Sequence, residues 1–218
     1  MISTIAAALL LMTPPLPPAR FLALGDSYTI GESVAAAGRW PNQLVRALHA
    51  KGTRVVDPEI IAKTGWTTDE LSSAIDAAKP RGPYALVTLL IGVNNQYRGR
   101  DAGQYRKEFA VLLQRAVGFA GGDPKRVVVV SIPDWGVTPF AAKRDRAKIA
   151  SEIDRFNAIA AEAAKRAGAH YADVTPISRR AATDATLVAP DGLHPSAAMY
   201  AQWVTVILPQ VEAALQGR

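Results

Sequence analysis

The chain of 218 residues contains no cysteine. A disulfide framework, a thiolate metal site and a cysteine nucleophile are all excluded, and any chemistry must rest on oxygen and nitrogen side chains. Histidine is scarce too, at three residues. His49 falls in a helical stretch and His170 at the start of a late strand, where structural roles are expected, so His194 is the one left for chemistry. No apolar run reaches the ~20 residues that cross a bilayer. No Gly-x-Gly-x-x-Gly or Walker lysine follows an apolar strand, which argues against nucleotide binding, and no Gly-x-Ser-x-Gly occurs, which argues against the α/β-hydrolase nucleophile turn. Signatures for RNA or zinc are absent as well.

What is present suits one well-buried core: 49% of residues are apolar, and the length is small for two domains. The net charge of +6 could suggest an anionic partner. The basic residues are dispersed, however, and runs such as Lys143-Arg144-Asp145-Arg146 are broken by acids, so a solvated face is the expected reading and no nucleic acid is expected. Ile5 to Met12 is an apolar run of signal-peptide length, followed by a proline-rich stretch. Residues 1–19 are therefore expected to be a signal peptide or a disordered N-terminal segment, with 20–218 as a single domain. The expected location is secreted or periplasmic, or cytoplasmic if that segment is not a leader.

Apolar stretches alternate with amphipathic ones. Phe21 to Leu24, Val55 to Ala62, Tyr84 to Ile91, Val127 to Ile132 and Ala169 to Val174 are expected strands, the second of them an edge or broken strand because of Pro58. Between them the spacing predicts helices opening at Trp40-Pro41, capped at Thr67 or Thr68, over Asp101 to Val117, over about Arg144 to Arg166, and from about Ser196 to Leu215. The alternation implies an α/β fold with a parallel sheet and helices on both faces, in which ligands bind at the carboxyl ends of strands.

Those ends carry the reactive residues. Gly25-Asp26-Ser27 follows the first strand and leaves a hydroxyl at its tip, a place for a nucleophile but also for an ordinary turn or helix N-cap. Near the other end of the chain, Asp191 and His194 are three residues apart in a turn, so one carboxylate can fix the tautomer of one imidazole and leave its second nitrogen free as a base. Asp26 is expected to brace its turn. Gly65 and Gly92-Val93-Asn94 each lie just beyond an apolar strand.

Gly25-Asp26-Ser27, Gly65, Gly92-Val93-Asn94 and Asp191-Gly192-Leu193-His194 come in the order of the four signature blocks of the SGNH, or GDSL-type, esterases and lipases, which the chain resembles over about 170 residues. The resemblance implies a three-layer, flavodoxin-like parallel sheet of about five strands, and a serine hydrolase that cleaves carboxylic esters through an acyl-enzyme. Its triad would be Ser27, His194 and Asp191, and its oxyanion donors the N–H groups of Ser27 and Gly65 and the amide of Asn94. Tyr28, Trp66, Trp135 and Tyr97 flank these turns as candidate pocket residues. Asn95 stands where the family usually has Asp, which puts a supporting hydrogen bond in question. No metal or organic cofactor is expected, and the partner would be a small ester substrate, with a monomeric protein and no stable membrane insertion. A carbohydrate O-acetylesterase, a thioesterase or lysophospholipase, and a non-catalytic module that keeps the fold remain open. A two-metal phosphoesterase is disfavoured by the shortage of histidine.

Overall fold

Stretches that are apolar on both faces need cover on both sides, and they become the middle of the sheet. The computed structural model describes residues 17–216. In it β1 (Phe21–Asp26), β3 (Leu86–Leu90) and β4 (Val127–Val130) are buried at every residue. They lie between β2 (Glu59–Lys63) and β5 (His170–Ala172), in the order β2-β1-β3-β4-β5, with all pairings parallel. Each of the four valines of β4 contributes about 1.5–3 kcal/mol by leaving water, which lets so short a strand sit inside the sheet. The strand expected from Val55 to Ala62 is shorter than that: it begins after Pro58, and Val55 instead makes an isolated bridge to Ala19. Proline has no N–H for the ladder, so pairing resumes only beyond it. Ala19 is fully buried and belongs to this fold, whereas the rest of the expected leader, residues 1–16, lies outside the described residues.

The helices follow the expected signals. α1 (Ser27–Ile30) turns straight off β1; α2 (Trp40–Ala50) has Pro41 in its first turn; α3 (Thr68–Ala78) starts where Glu70 accepts the Thr67 N–H at 2.9 Å. α4 (Val93–Tyr97) and α5 (Ala102–Phe119) come next, the latter capped by Asp101, and then α6 (Arg146–Ala167), capped by Asp145. The last two are α7 (Thr175–Arg179) and α8 (Ala197–Leu215), which is capped by Ser196. α8 packs on β3, β4 and β5 and pairs with α2, while α3, α5 and α6 lie side by side over the other face. No helix among the described residues is long and apolar enough to cross a membrane.

From β1 the chain goes outward to β2 and then back across β1 to β3. That reversal opens a crevice beyond the carboxyl ends of β1 and β3, where sheets of this kind hold ligands.

Candidate active site

Ser27 is the first residue of α1, and Asp26 is its N-cap, with one carboxylate oxygen accepting the Tyr28 N–H at 3.0 Å. The helix can begin this abruptly because of Gly25. A Cβ there would lie 2.1 Å from the Thr29 hydroxyl and 2.5 Å from the Leu90 carbonyl oxygen, so any side chain would push α1 off the end of β1. Asp26 is fully buried and its second oxygen has no partner among the described residues. Burial pushes its carboxyl up to about 7, against the pull of the Tyr28 N–H. It braces the turn and makes no hydrogen bond to His194.

The turn at Asp191 brings His194 to Ser27. His194 Nε2 lies 3.0 Å from Ser27 Oγ, and His194 Nδ1 lies 2.7 Å from Asp191 Oδ2. The other carboxylate oxygen accepts the N–H groups of Leu193 and His194, each at 2.9 Å. Burial would raise the Asp191 carboxyl, but hydrogen bonds from Ser33, the Leu193 N–H and His194 outweigh it and hold the group well below the usual carboxylate range. An ionised acceptor at Nδ1 sets the tautomer in which Nε2 is free to accept from the serine hydroxyl. His194 is itself buried, with the Tyr28 ring 5.2 Å away.

Gly65 lies two residues beyond β2 at φ +85°, and its carbonyl accepts from the Arg98 guanidinium at 2.6 Å, which fixes the plane of the Gly65–Trp66 peptide. Across the crevice, Gly92 caps α4 at φ +125°, and a Cβ there would strike the Tyr105 ring at 2.5 Å. Asn94 follows, with its amide nitrogen donating to the Trp66 carbonyl at 2.9 Å. An amide carries two N–H groups, so one orients the side chain and the other is left for a ligand.

Asn95 explains itself through its neighbours. Its oxygen accepts the Thr68 N–H at 3.1 Å and its nitrogen donates to the Thr68 hydroxyl at 2.7 Å, while that hydroxyl donates to Glu108. An aspartate would set a second carboxylate against a hydroxyl whose proton already goes to Glu108. The amide supplies the missing donor and keeps α4 tied to α3, so the departure at this position leaves the support of Asn94 in place.

A cavity of about 150 Å³ opens beside Ser27, Asn94 and His194, and Tyr97, Trp135 and Phe140 form its aromatic side. Trp135 is buried and donates from its indole N–H to Gln96 at 2.7 Å; Tyr97 and Phe140 are each 46% exposed. Ring centroids are 5.3 Å apart for Tyr97 and Trp135 and 6.0 Å for Trp135 and Phe140. The Phe140 N–H donates to the Gly192 carbonyl at 2.9 Å, joining this wall to the loop that carries His194. Of the expected pocket residues, Tyr28, Tyr97 and Trp135 line the cavity and Trp66 does not. The Trp66 ring packs half-buried on the core, and what it offers the site is its backbone carbonyl. Phe140 was not anticipated, although an aromatic after Thr138-Pro139 in a loop beyond β4 was a usable signal.

A larger cavity, about 550 Å³, lies between α5 and α6, and none of the converging residues lines it. Chemistry follows the convergent polar groups rather than the volume. Asp134, also past a strand end, is bound at 2.9 Å by Arg179 and accepts the Gly136 N–H, and so holds the Trp135 turn. His49 is engaged with the Val55 carbonyl at 2.6 Å. Among the described residues no three of Asp, Glu and His are grouped so as to hold a metal ion.

A comparison with curated proteins gives no match. Among solved structures, the chain is similar to one described as TesA, with 18% identity and a TM-score of 0.71, covering 90% of this chain and 99% of that one. It is also similar to the psychrotrophic esterase EstA from Pseudoalteromonas sp., at 15% identity and a TM-score of 0.67, covering 88% and 96%. The acetylxylan esterase Axe2 from Geobacillus stearothermophilus gives 19% and 0.65, covering 88% and 94%. At such identities the likeness is one of fold, and it matches the expected parallel sheet. The family model of GDSL-like lipases and acylhydrolases spans residues 23–202, from inside β1 to inside α8 and across every residue of the crevice described above. The chain belongs to the GDSL-like lipase/acylhydrolase family.

Proposed function

We propose that the protein is a serine hydrolase that cleaves carboxylic esters through an acyl-enzyme, with Ser27, His194 and Asp191 as its triad. The observation that carries this is the unbroken chain from Ser27 Oγ to His194 at 3.0 Å and from His194 to Asp191 at 2.7 Å. His194 Nε2 takes the hydroxyl proton as Ser27 Oγ bonds to the ester carbon, and Asp191 stabilises the imidazolium. The carbonyl oxygen, now negative, accepts from the N–H groups of Ser27 and Gly65 and from the free N–H of Asn94. As the tetrahedral centre collapses, the ester C–O bond breaks and the leaving alcohol takes the proton from His194. Water then adds to the acyl carbon with His194 again as base, and Ser27 is released with the acid product.

The cavity of about 150 Å³ is below the roughly 300–1,000 Å³ that holds drug-sized ligands, which favours short acyl groups. Hydrolysis of p-nitrophenyl acetate, butyrate and octanoate by the wild type and by Ser27→Ala tests both parts. The variant should lose at least about 10³ in kcat, and a fluorophosphonate should label the wild type at Ser27. Undiminished turnover in Ser27→Ala would remove the nucleophile assignment. A wild type that neither turns over esters nor takes the label would instead be a binding module. A preference for acyl chains longer than eight carbons would contradict the short-chain reading.

A further inference from the structure

The loop leaving α1 holds a non-glycine residue in the left-handed region, within the turn closed by the Val34 N–H on the Gly31 carbonyl at 3.1 Å. Among the described residues, Ser33 and Lys79 are the non-glycine positions with positive φ, and Lys79 is the ordinary left-handed cap of α3. Ser33, at φ +61°, caps no helix, since α1 is already closed by Gly31 at φ +66°; it stands third in the Gly31–Val34 turn, a place that usually takes glycine or asparagine. Such a conformation is disfavoured for a residue with a Cβ and persists where tertiary contacts enforce it. The contact here is specific: Ser33 Oγ donates to Asp191 Oδ2 at 2.6 Å, across 158 residues of sequence.

That bond closes a ring. From Ser27 Oγ the path runs to His194, on to Asp191 and then to Ser33; it returns through the neighbouring Glu32 N–H, which donates to the Ser27 carbonyl at 3.0 Å. The loop is tied on its other side too, where the Glu32 carboxylate accepts from Thr64, next to Gly65. Both halves of the crevice are thereby referred to the backbone of α1. Asp191 Oδ2 must accept from His194 and Ser33 together, so the Ser33 hydroxyl fixes where that oxygen sits and with it the plane of the imidazole.

We infer that Ser33 is a positioning residue, held in the left-handed region by its turn and by Asp191, whose hydroxyl registers the Asp191–His194 turn to Ser27. The inference rests on the proposed roles of Ser27, His194 and Asp191.

Glycine and alanine at position 33 separate the two properties. Both remove the hydroxyl, but Ser33→Gly accepts the left-handed φ freely and Ser33→Ala does not. Both variants should lose kcat on p-nitrophenyl acetate by about tenfold, the scale of one hydrogen bond to a charged group, with KM within about twofold. Melting temperature should fall further in Ser33→Ala than in Ser33→Gly. If Ser33 acts through Asp191, adding Ser33→Gly to Asp191→Ala should change the rate of fluorophosphonate labelling by less than about twofold. Wild-type kcat in Ser33→Gly, or an equal loss with and without Asp191, would overturn the inference. Failure of the underlying reading looks different, since the wild type would then take no label at Ser27.

Discussion

The two sides of the crevice are built on different physical terms. On the reacting side Asp191 accepts four hydrogen bonds, from Ser33, His194 Nδ1 and two backbone N–H groups, and Asn94 is anchored by the Trp66 carbonyl. Nothing there can move without breaking a directional contact. On the pocket side the wall is three rings, two of them 46% exposed, held by edge and face packing around the buried Trp135. Hydrogen bonds fix positions to tenths of an ångström, whereas apolar packing tolerates exchange of similar volumes. Under the proposed mechanism, rate is invested in the first side and substrate choice in the second.

The contrast breaks most visibly at Asn94. Its replacement by Ala should cost about 10² to 10³ in kcat, the usual loss for one oxyanion donor, and should do so equally for acetate and butyrate esters. A loss that depended on acyl length would make Asn94 part of the pocket instead. Phe140→Ala should act the other way, lowering kcat/KM for p-nitrophenyl butyrate by about tenfold, since one methylene in an apolar pocket is worth 1–3 kcal/mol. It should leave the acetate nearly untouched, and equal losses on both esters would erase the distinction between the two sides.

Asp26→Asn should have the smallest effect on rate, within about threefold, because Asp26 reaches no reacting atom. Its signature lies in stability. The folded carboxyl titrates at about 7 against an ordinary 3.8, so the folded state holds the proton more tightly than the unfolded one. That contribution to stability is complete below about pH 4 and is lost as pH rises to about 7, by on the order of 4 kcal/mol. Asparagine cannot ionise. The melting temperature of Asp26→Asn relative to wild type should therefore rise by roughly 10 °C between pH 4 and pH 8, and a difference independent of pH would show that Asp26 is not held in this way.

Much of this could be read from residue types alone, where short-range physics decides. Runs such as Val127 to Val130 announce a covered strand, and the three-residue spacing of Asp191 and His194 needs only a turn to bring carboxylate to imidazole. The capping residues Asp101, Asp145 and Ser196 mark their helices. The four-residue α1 carries no periodicity to detect, and the strand after Pro58 shows how a missing N–H trims what hydropathy would extend. The links of Thr68 to Asn95 and to Glu108, and that of Ser33 to Asp191, join residues 27 to 158 positions apart. Such pairs depend on the finished packing of several elements, and no local pattern encodes them.

The tie between the pocket wall and the histidine loop runs from the N–H of residue 140 to the carbonyl of Gly192. A main-chain bond is indifferent to the side chain it carries, so any amino acid other than proline can occupy position 140 and leave the loop moored. The crevice thus has an interchangeable fitting at its mouth, and position 140 is where its aromatic wall can be altered with the least disturbance to the hydrogen-bonded groups beneath it.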